Sequence, residues 1–115
     1  MDNTPKIIID FELEENKGTE DLIRHVSNIQ NYYQGNAVIE VRAYGPGIKL
    51  LMKTNRYTDQ LIKLAEAGAT FVACQNTMQR LNLSKDQLID LAAEAPSGLG
   101  HIIDRQREGW AYLKA

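Results

Sequence analysis

A single cysteine, Cys74, excludes an internal disulfide and any Cys-x-x-Cys redox or zinc motif. A thiol with no partner in its own chain exchanges only with a small molecule or another chain. Charge of one sign is also missing: 13 Lys and Arg stand against 15 Asp and Glu, for a formal net charge of −2. With no local Lys/Arg cluster, a broad nucleic-acid surface is excluded. No segment approaches the roughly 18 apolar residues of a membrane span, so no membrane partner is expected. The opening Met1-Asp2-Asn3-Thr4-Pro5 has neither the basic nor the apolar part of a signal peptide. The simplest location is therefore the cytoplasm, where a free thiol stays reduced. No His, Cys, Asp and Glu set has metal spacing, and no Gly-x-Ser-x-Gly elbow occurs. The glycine spacing fits neither a dinucleotide nor a Walker A fingerprint. Neither a metal nor an organic cofactor is expected.

What is present is a chain of 115 residues with 43% hydrophobic content, enough for one folded domain over 1–115. Lys6-Ile7-Ile8-Ile9-Asp10-Phe11 has the continuous apolarity of a two-sided buried strand. An acidic stretch, Glu12 to Asn16, leads to Gly18. Thr19 is expected to cap a helix carrying Leu22, Val26, Ile29 and Tyr33 at helical spacing, stopped by Gly35. A second strand, Ala37 to Ala43, runs into the turn Tyr44-Gly45-Pro46-Gly47, a short helical piece from Ile48 to Met52, and a helix from about Tyr57 to Gly68. The apolar run Ala69 to Cys74 is the third strand. It is followed by a short helix to Leu81 and a capping box at Ser84-Lys85-Asp86-Gln87. Leu91 to Ala95 is a weak fourth strand. Pro96-Ser97-Gly98 opens a last helix stopped by Gly109, and Trp110 to Leu113 forms a short fifth strand. Strands alternating with helices predict an α/β fold, a three-layer α/β/α sandwich with a mostly parallel five-stranded sheet. A sheet of mixed direction is the alternative that the weak last strands leave open.

In open α/β sheets, ligands gather beyond the carboxyl ends of the strands. Four loops belong to that rim: Glu12 to Asn16, Gly45-Pro46-Gly47, Cys74-Gln75-Asn76-Thr77 and Pro96-Ser97-Gly98. Cys74 stands at a strand-to-helix junction, where unpaired amides and the helix dipole favour thiolate over thiol. The opposing reading is that Cys74 packs as a small hydrophobe. His101, in the first turn of the last helix, could hold a proton for chemistry at Cys74, or simply sit at the surface. His25, in mid-helix, is given no role. Tyr32, Tyr33, Trp110 and Tyr112 exceed what so small a core needs, so a subunit contact and the core edge are equal expectations for them.

Three strings, taken together and in order, resemble the DsrE/DsrF-like family. They are Tyr44-Gly45-Pro46-Gly47-Ile48 with Leu51, then Phe71-Val72-Ala73-Cys74-Gln75-Asn76-Thr77-Met78 with Leu81, and Pro96-Ser97-Gly98 followed by Ile102, Ile103 and Gln106 to Leu113. The resemblance implies a three-layer α/β/α domain with a parallel five-stranded sheet, cytoplasmic and assembled as a homo-oligomer such as a dimer, trimer or hexamer. It also implies sulfur carried on the cysteine that Cys74 matches, passed between donor and acceptor proteins. The expected function is that of a sulfur carrier or sulfurtransferase component holding a persulfide on Cys74. Its pocket would be shaped by Gly45, Pro46, Gly47, Gln75, Asn76, Thr77, Ser97, Gly98 and His101. The rival expectations are a non-catalytic module binding a small anion or nucleotide, and a purely structural subunit.

Overall fold

In the computed structural model, which describes residues 3–13, 16–96 and 98–115, five strands form one sheet. They are β1 (Lys6–Phe11), β2 (Val38–Ala43), β3 (Ala69–Cys74), β4 (Ala92–Ala95) and β5 (Ala111–Lys114), in the order β4-β3-β2-β1-β5. Every pairing is parallel, so the sheet of mixed direction is ruled out. The helices are α1 (Asn16–Tyr32), α2 (Thr58–Glu66), α3 (Gln75–Arg80) and α4 (Gly98–Arg107), with 3-10 helices at Gly45–Leu51 and Lys85–Gln87.

From β1 to β4 the chain steps one way across the sheet, and β5 then returns to the far side of β1. Right-handed crossovers therefore place the connections after β1, β2 and β3 on one face and α4 on the other. The side chains agree. Ile7, Ile9, Phe11, Ile39, Val41 and Phe71 share the main core with Leu22 and Val26 of α1 and Leu61 and Leu64 of α2. Met78 of α3 joins the same cluster. The opposite face carries Asp10, Glu40, Arg42, Val72 and Cys74, matched by register and alternation, with α4 above it. The result is three layers, with an apolar core on one side of the sheet and a charged one on the other.

Local differences from the sequence reading have physical reasons. Helix α1 starts at Asn16, so Thr19 lies buried inside it instead of capping it. Gly18 allows this, because a β-carbon there would come within 2.9 Å of Cβ of Leu13. Helix α1 ends through two successive left-handed residues, Gln34 (φ 53) and the expected Gly35 (φ 81), whose amide donates to the Gln30 carbonyl at 2.9 Å. Gly45, Pro46 and Gly47 are not a separate turn but the first residues of the 3-10 helix, whose N-cap is Tyr44. Gly47 must be glycine there, since a β-carbon would fall 2.4 Å from the Phe11 carbonyl oxygen. Strands β4 and β5 each start one residue later than the sequence suggests. The capping box forms on the second 3-10 helix, with the Ser84 amide donating to Oε1 of Gln87 at 2.9 Å. Glu14, Glu15 and Ser97 lie outside the described residues.

Candidate functional site

The connection after β3 runs to one face of the sheet and the connection after β4 to the other, which makes the carboxyl ends of these two strands the switch point where open α/β sheets hold ligands. Cys74 closes β3 at this point and is the N-cap of α3 (φ −74, ψ 116). Its side chain is buried, with the residue 4% exposed. Burial alone pushes the thiol pKa up. The Thr77 amide and hydroxyl, the Asn76 amide and the charge of Arg42 pull it down, and the net pKa lies below the ordinary thiol value. The Cys74 side chain forms no capping hydrogen bond of its own, and these groups act on it as a helix start acts on a negative charge placed there. The Thr77 hydroxyl oxygen accepts the Gly45 amide at 3.1 Å, which leaves its own hydrogen to turn toward the sulfur.

Below the thiol lies a buried ion pair. Arg42 donates through Nε to Oδ1 of Asp10 at 2.8 Å, and its Nη2 stands 2.7 Å from the same oxygen. Tyr112 donates its hydroxyl to Oδ2 of Asp10 at 3.0 Å, and the Tyr44 ring lies 4.1 Å from Cζ of Arg42. Burial, with the charge of Asp10 nearby, raises the pKa of both phenols, so they remain protonated donors. Asp10 occupies Nε and Nη2 of the guanidinium, and Nη1 is turned toward Gly98 and Cys74. A β-carbon on Gly98 would lie 2.0 Å from Nη1 and 3.1 Å from Sγ of Cys74. Gly98 is therefore the wall of the site, and only hydrogen fits at that position.

Helix α4 is held over the sheet by Glu40, whose Oε2 receives Nη2 of Arg105 at 3.0 Å. His101 pairs through Nε2 with Oε1 of the same carboxylate. His101 is thus engaged two residues back along β2 from Arg42, and Gly98 is the α4 residue that abuts the sulfur. Among the other expected pocket residues, Asn76 and Thr77 act on Cys74, Gly45 acts through Thr77, and Gly47 packs on the end of β1. Pro46 is exposed. Gln75 lines a shallow cavity of about 230 Å³ with Met78, Gln79, Leu83, Lys85 and Glu94. The sequence reading gives Asp10, Arg42 and Tyr44 no role in the site, and gives Tyr112 only a subunit contact or a place at the core edge. The signal was present: a charge, Asp10, inside the apolar run of β1, and in Val38-Ile39-Glu40-Val41-Arg42 an alternation that puts Glu40 and Arg42 on one face. Among the described residues, no group of three His, Cys, Asp or Glu could hold a metal ion. No helix among them is long and apolar enough to cross a membrane.

The chain closely resembles the solved structure of MTH1491 from Methanobacterium thermoautotrophicum, a protein of unknown function. The TM-score is 0.92 at 30% identity, covering 96% of this chain and 99% of that one. BT1422 from Bacteroides thetaiotaomicron, also of unknown function, matches with a TM-score of 0.77 at 17% identity, over 96% and 94% of the two chains. The ychN protein from E. coli matches with 0.75 at 14% identity, over 96% and 99%. These last two show a shared fold alone. No curated protein matches the chain. The model of the DsrE/DsrF-like family matches residues 13–115, which include the Cys74 junction, the glycine turn and α4, and the chain belongs to that family.

Proposed function

We propose that the protein is a sulfur carrier or sulfurtransferase component that holds sulfane sulfur as a persulfide on Cys74. Family membership supports a role related to sulfur relay. The observation that carries the finer reading is the position of Cys74 at the start of α3 beside Arg42, where the Thr77 amide and hydroxyl, the Asn76 amide and the Arg42 charge lower its pKa against the effect of burial. Donors fixed where negative charge resides stabilise it without reorganisation. The thiolate attacks the sulfane sulfur of a donor, the donor's S–S bond breaks, and its leaving group departs with the electron pair. The persulfide that remains on Cys74 carries its charge on the outer sulfur, one S–S bond beyond Sγ. With no second cysteine in the chain, sulfur leaves to an acceptor outside the subunit.

Donor and acceptor proteins must reach this rim, and a homo-oligomer would present several such sites. Leu99 and Ile103 on α4, 74% and 56% exposed, support an interface on that helix. The anion- or nucleotide-binding alternative has less support. The Gly45 amide is given to Thr77 and the Gly47 amide to the Tyr44 carbonyl at 3.0 Å, so the glycine turn offers neither to a phosphate.

The test is incubation of the chain with a sulfane-sulfur donor, followed by intact mass spectrometry. One added sulfur per chain, released by reductant and absent from Cys74→Ser, is expected. Loading of the Ser variant to the same extent would overturn the reading.

A further inference from the structure

Arginine can hold an anion in two ways, through the pair Nε and Nη2 or through Nη1 and its outer edge. In this chain Asp10 takes the first pair and the centroid of the Tyr44 ring lies 4.1 Å from Cζ, so the guanidinium is held on two sides. Its remaining nitrogen, Nη1, and Sγ of Cys74 border the same small space, lying 2.0 Å and 3.1 Å from the point where a β-carbon on Gly98 would be. The second oxygen of Asp10 is occupied by Tyr112, so the carboxylate is fixed too. An ion pair buried only for stability is a weak device, because desolvation offsets most of its attraction. In this pair the guanidinium nitrogen that Asp10 leaves free lies beside a nucleophile, and its charge favours the thiolate.

We propose that Arg42, oriented by Asp10, is the anion-recognising arm of the Cys74 site and selects sulfur donors whose transferable sulfur is carried by an anionic group. The inference rests on the sulfur-carrier reading and narrows its donor class. For thiosulfate the step balances as follows. The Cys74 thiolate attacks the outer sulfur, a new S–S bond forms, the old one breaks, and sulfite leaves with the bonding pair. No proton or further reductant is consumed. Arg42 offsets the repulsion between thiolate and incoming anion, then holds the negative sulfur of the product. Asp10 is a positioning residue, and Arg42 determines specificity.

Two alkylating probes of similar size separate charge recognition from thiol reactivity: iodoacetate, an anion, and iodoacetamide, which is neutral. Their rate ratio at Cys74 is measured in the full chain, in Arg42→Gln and in the doubly neutral D10N/R42Q, which leaves no unpaired buried charge if the single variant fails to fold. The wild-type ratio is expected to favour iodoacetate relative to a free small-molecule thiol and to fall roughly tenfold in the variants, equivalent to about 1.4 kcal/mol. Loading from thiosulfate, read as added sulfur by mass spectrometry, should fall with it. A ratio unchanged in a folded variant overturns the role of Arg42 while leaving the sulfur-carrier reading intact. A wild-type Cys74 that reacts with neither probe and takes up no sulfur overturns both.

Discussion

Gly98 at the start of α4 and Arg42 of β2 meet with no space for a β-carbon between them, the would-be atom lying 2.0 Å from Nη1. Arg42 cannot simply swing away, because Asp10 holds two of its nitrogens. Gly98→Ala should therefore disturb the site as well as the fold. Overpacking costs about 1–3 kcal/mol, while exchanging Gly for Ala in a helix returns at most about 1 kcal/mol. A net loss of roughly 1–2 kcal/mol in urea denaturation is expected. Slower alkylation of Cys74 should accompany it, since Sγ stands 3.1 Å from the same point. Unchanged stability and unchanged reactivity would show that Arg42 yields and that Gly98 is not a wall.

The lowered pKa of Cys74 gives a pH dependence with a definite sign. The folded thiol ionises at lower pH than the unfolded one, whose value is about 8.5. Below the folded pKa both states are protonated and ionisation contributes nothing. Between the two values the folded state alone is thiolate, so stability rises with pH, and above the unfolded value the gain is complete. Wild type should thus gain stability relative to Cys74→Ala as pH rises from neutrality toward about 9, within the range set by the free thiol. The alkylation rate should reach half its plateau at a pH below that of a free thiol. A difference between the two proteins that stays flat over this range would refute the shift.

Thr77 links two parts of the rim, and its hydroxyl carries both connections. Thr77→Val keeps the shape, leaves the buried Gly45 amide without its acceptor, and removes one donor from the thiolate. The unsatisfied amide should cost about 1–3 kcal/mol. The alkylation midpoint should move to higher pH, and Thr77→Ser should restore both properties. Loss of stability with no movement of the midpoint would assign Thr77 to the fold alone.

Elements were more legible in the chain than the site was. The runs Ile7-Ile8-Ile9 and Phe71-Val72-Ala73 are continuous apolar strands, and strands of that kind alternating with helices imply a parallel sheet covered on both faces. Cys74, Thr77 and Gly98 were found because they stand at the ends of strands or the starts of helices, where a local pattern marks the rim. Arg42 and Asp10 stand 32 residues apart and meet only through the β1–β2 register. No local pattern encodes that pairing. His101 was expected near the thiol from its place in the first turn. Its actual partner, Glu40, is fixed by how α4 crosses the sheet, which sequence spacing does not specify. Gly35 takes the left-handed conformation expected of the glycine that stops α1, and Gln34 before it is left-handed too, which no residue type signalled.

The Asp10–Arg42 pair separates what an ion pair does for stability from what it does for chemistry. Both side chains are almost fully removed from water, at 6% and 3% exposure. Asp10→Asn leaves the Arg42 charge buried and weakly paired, and the loss should be about 3–5 kcal/mol, the range for breaking a buried pair from one side. D10N/R42Q removes both charges and should recover a substantial part of that loss, because two neutral amides can bond to each other and to Tyr112. A double-mutant cycle by chemical denaturation measures the coupling. If the pair served stability alone, the double variant would regain Cys74 reactivity along with its fold. The geometry at Nη1 argues instead that stability returns while preference for anionic reagents does not. A double variant that recovers both would place the pair in the scaffold and outside the site.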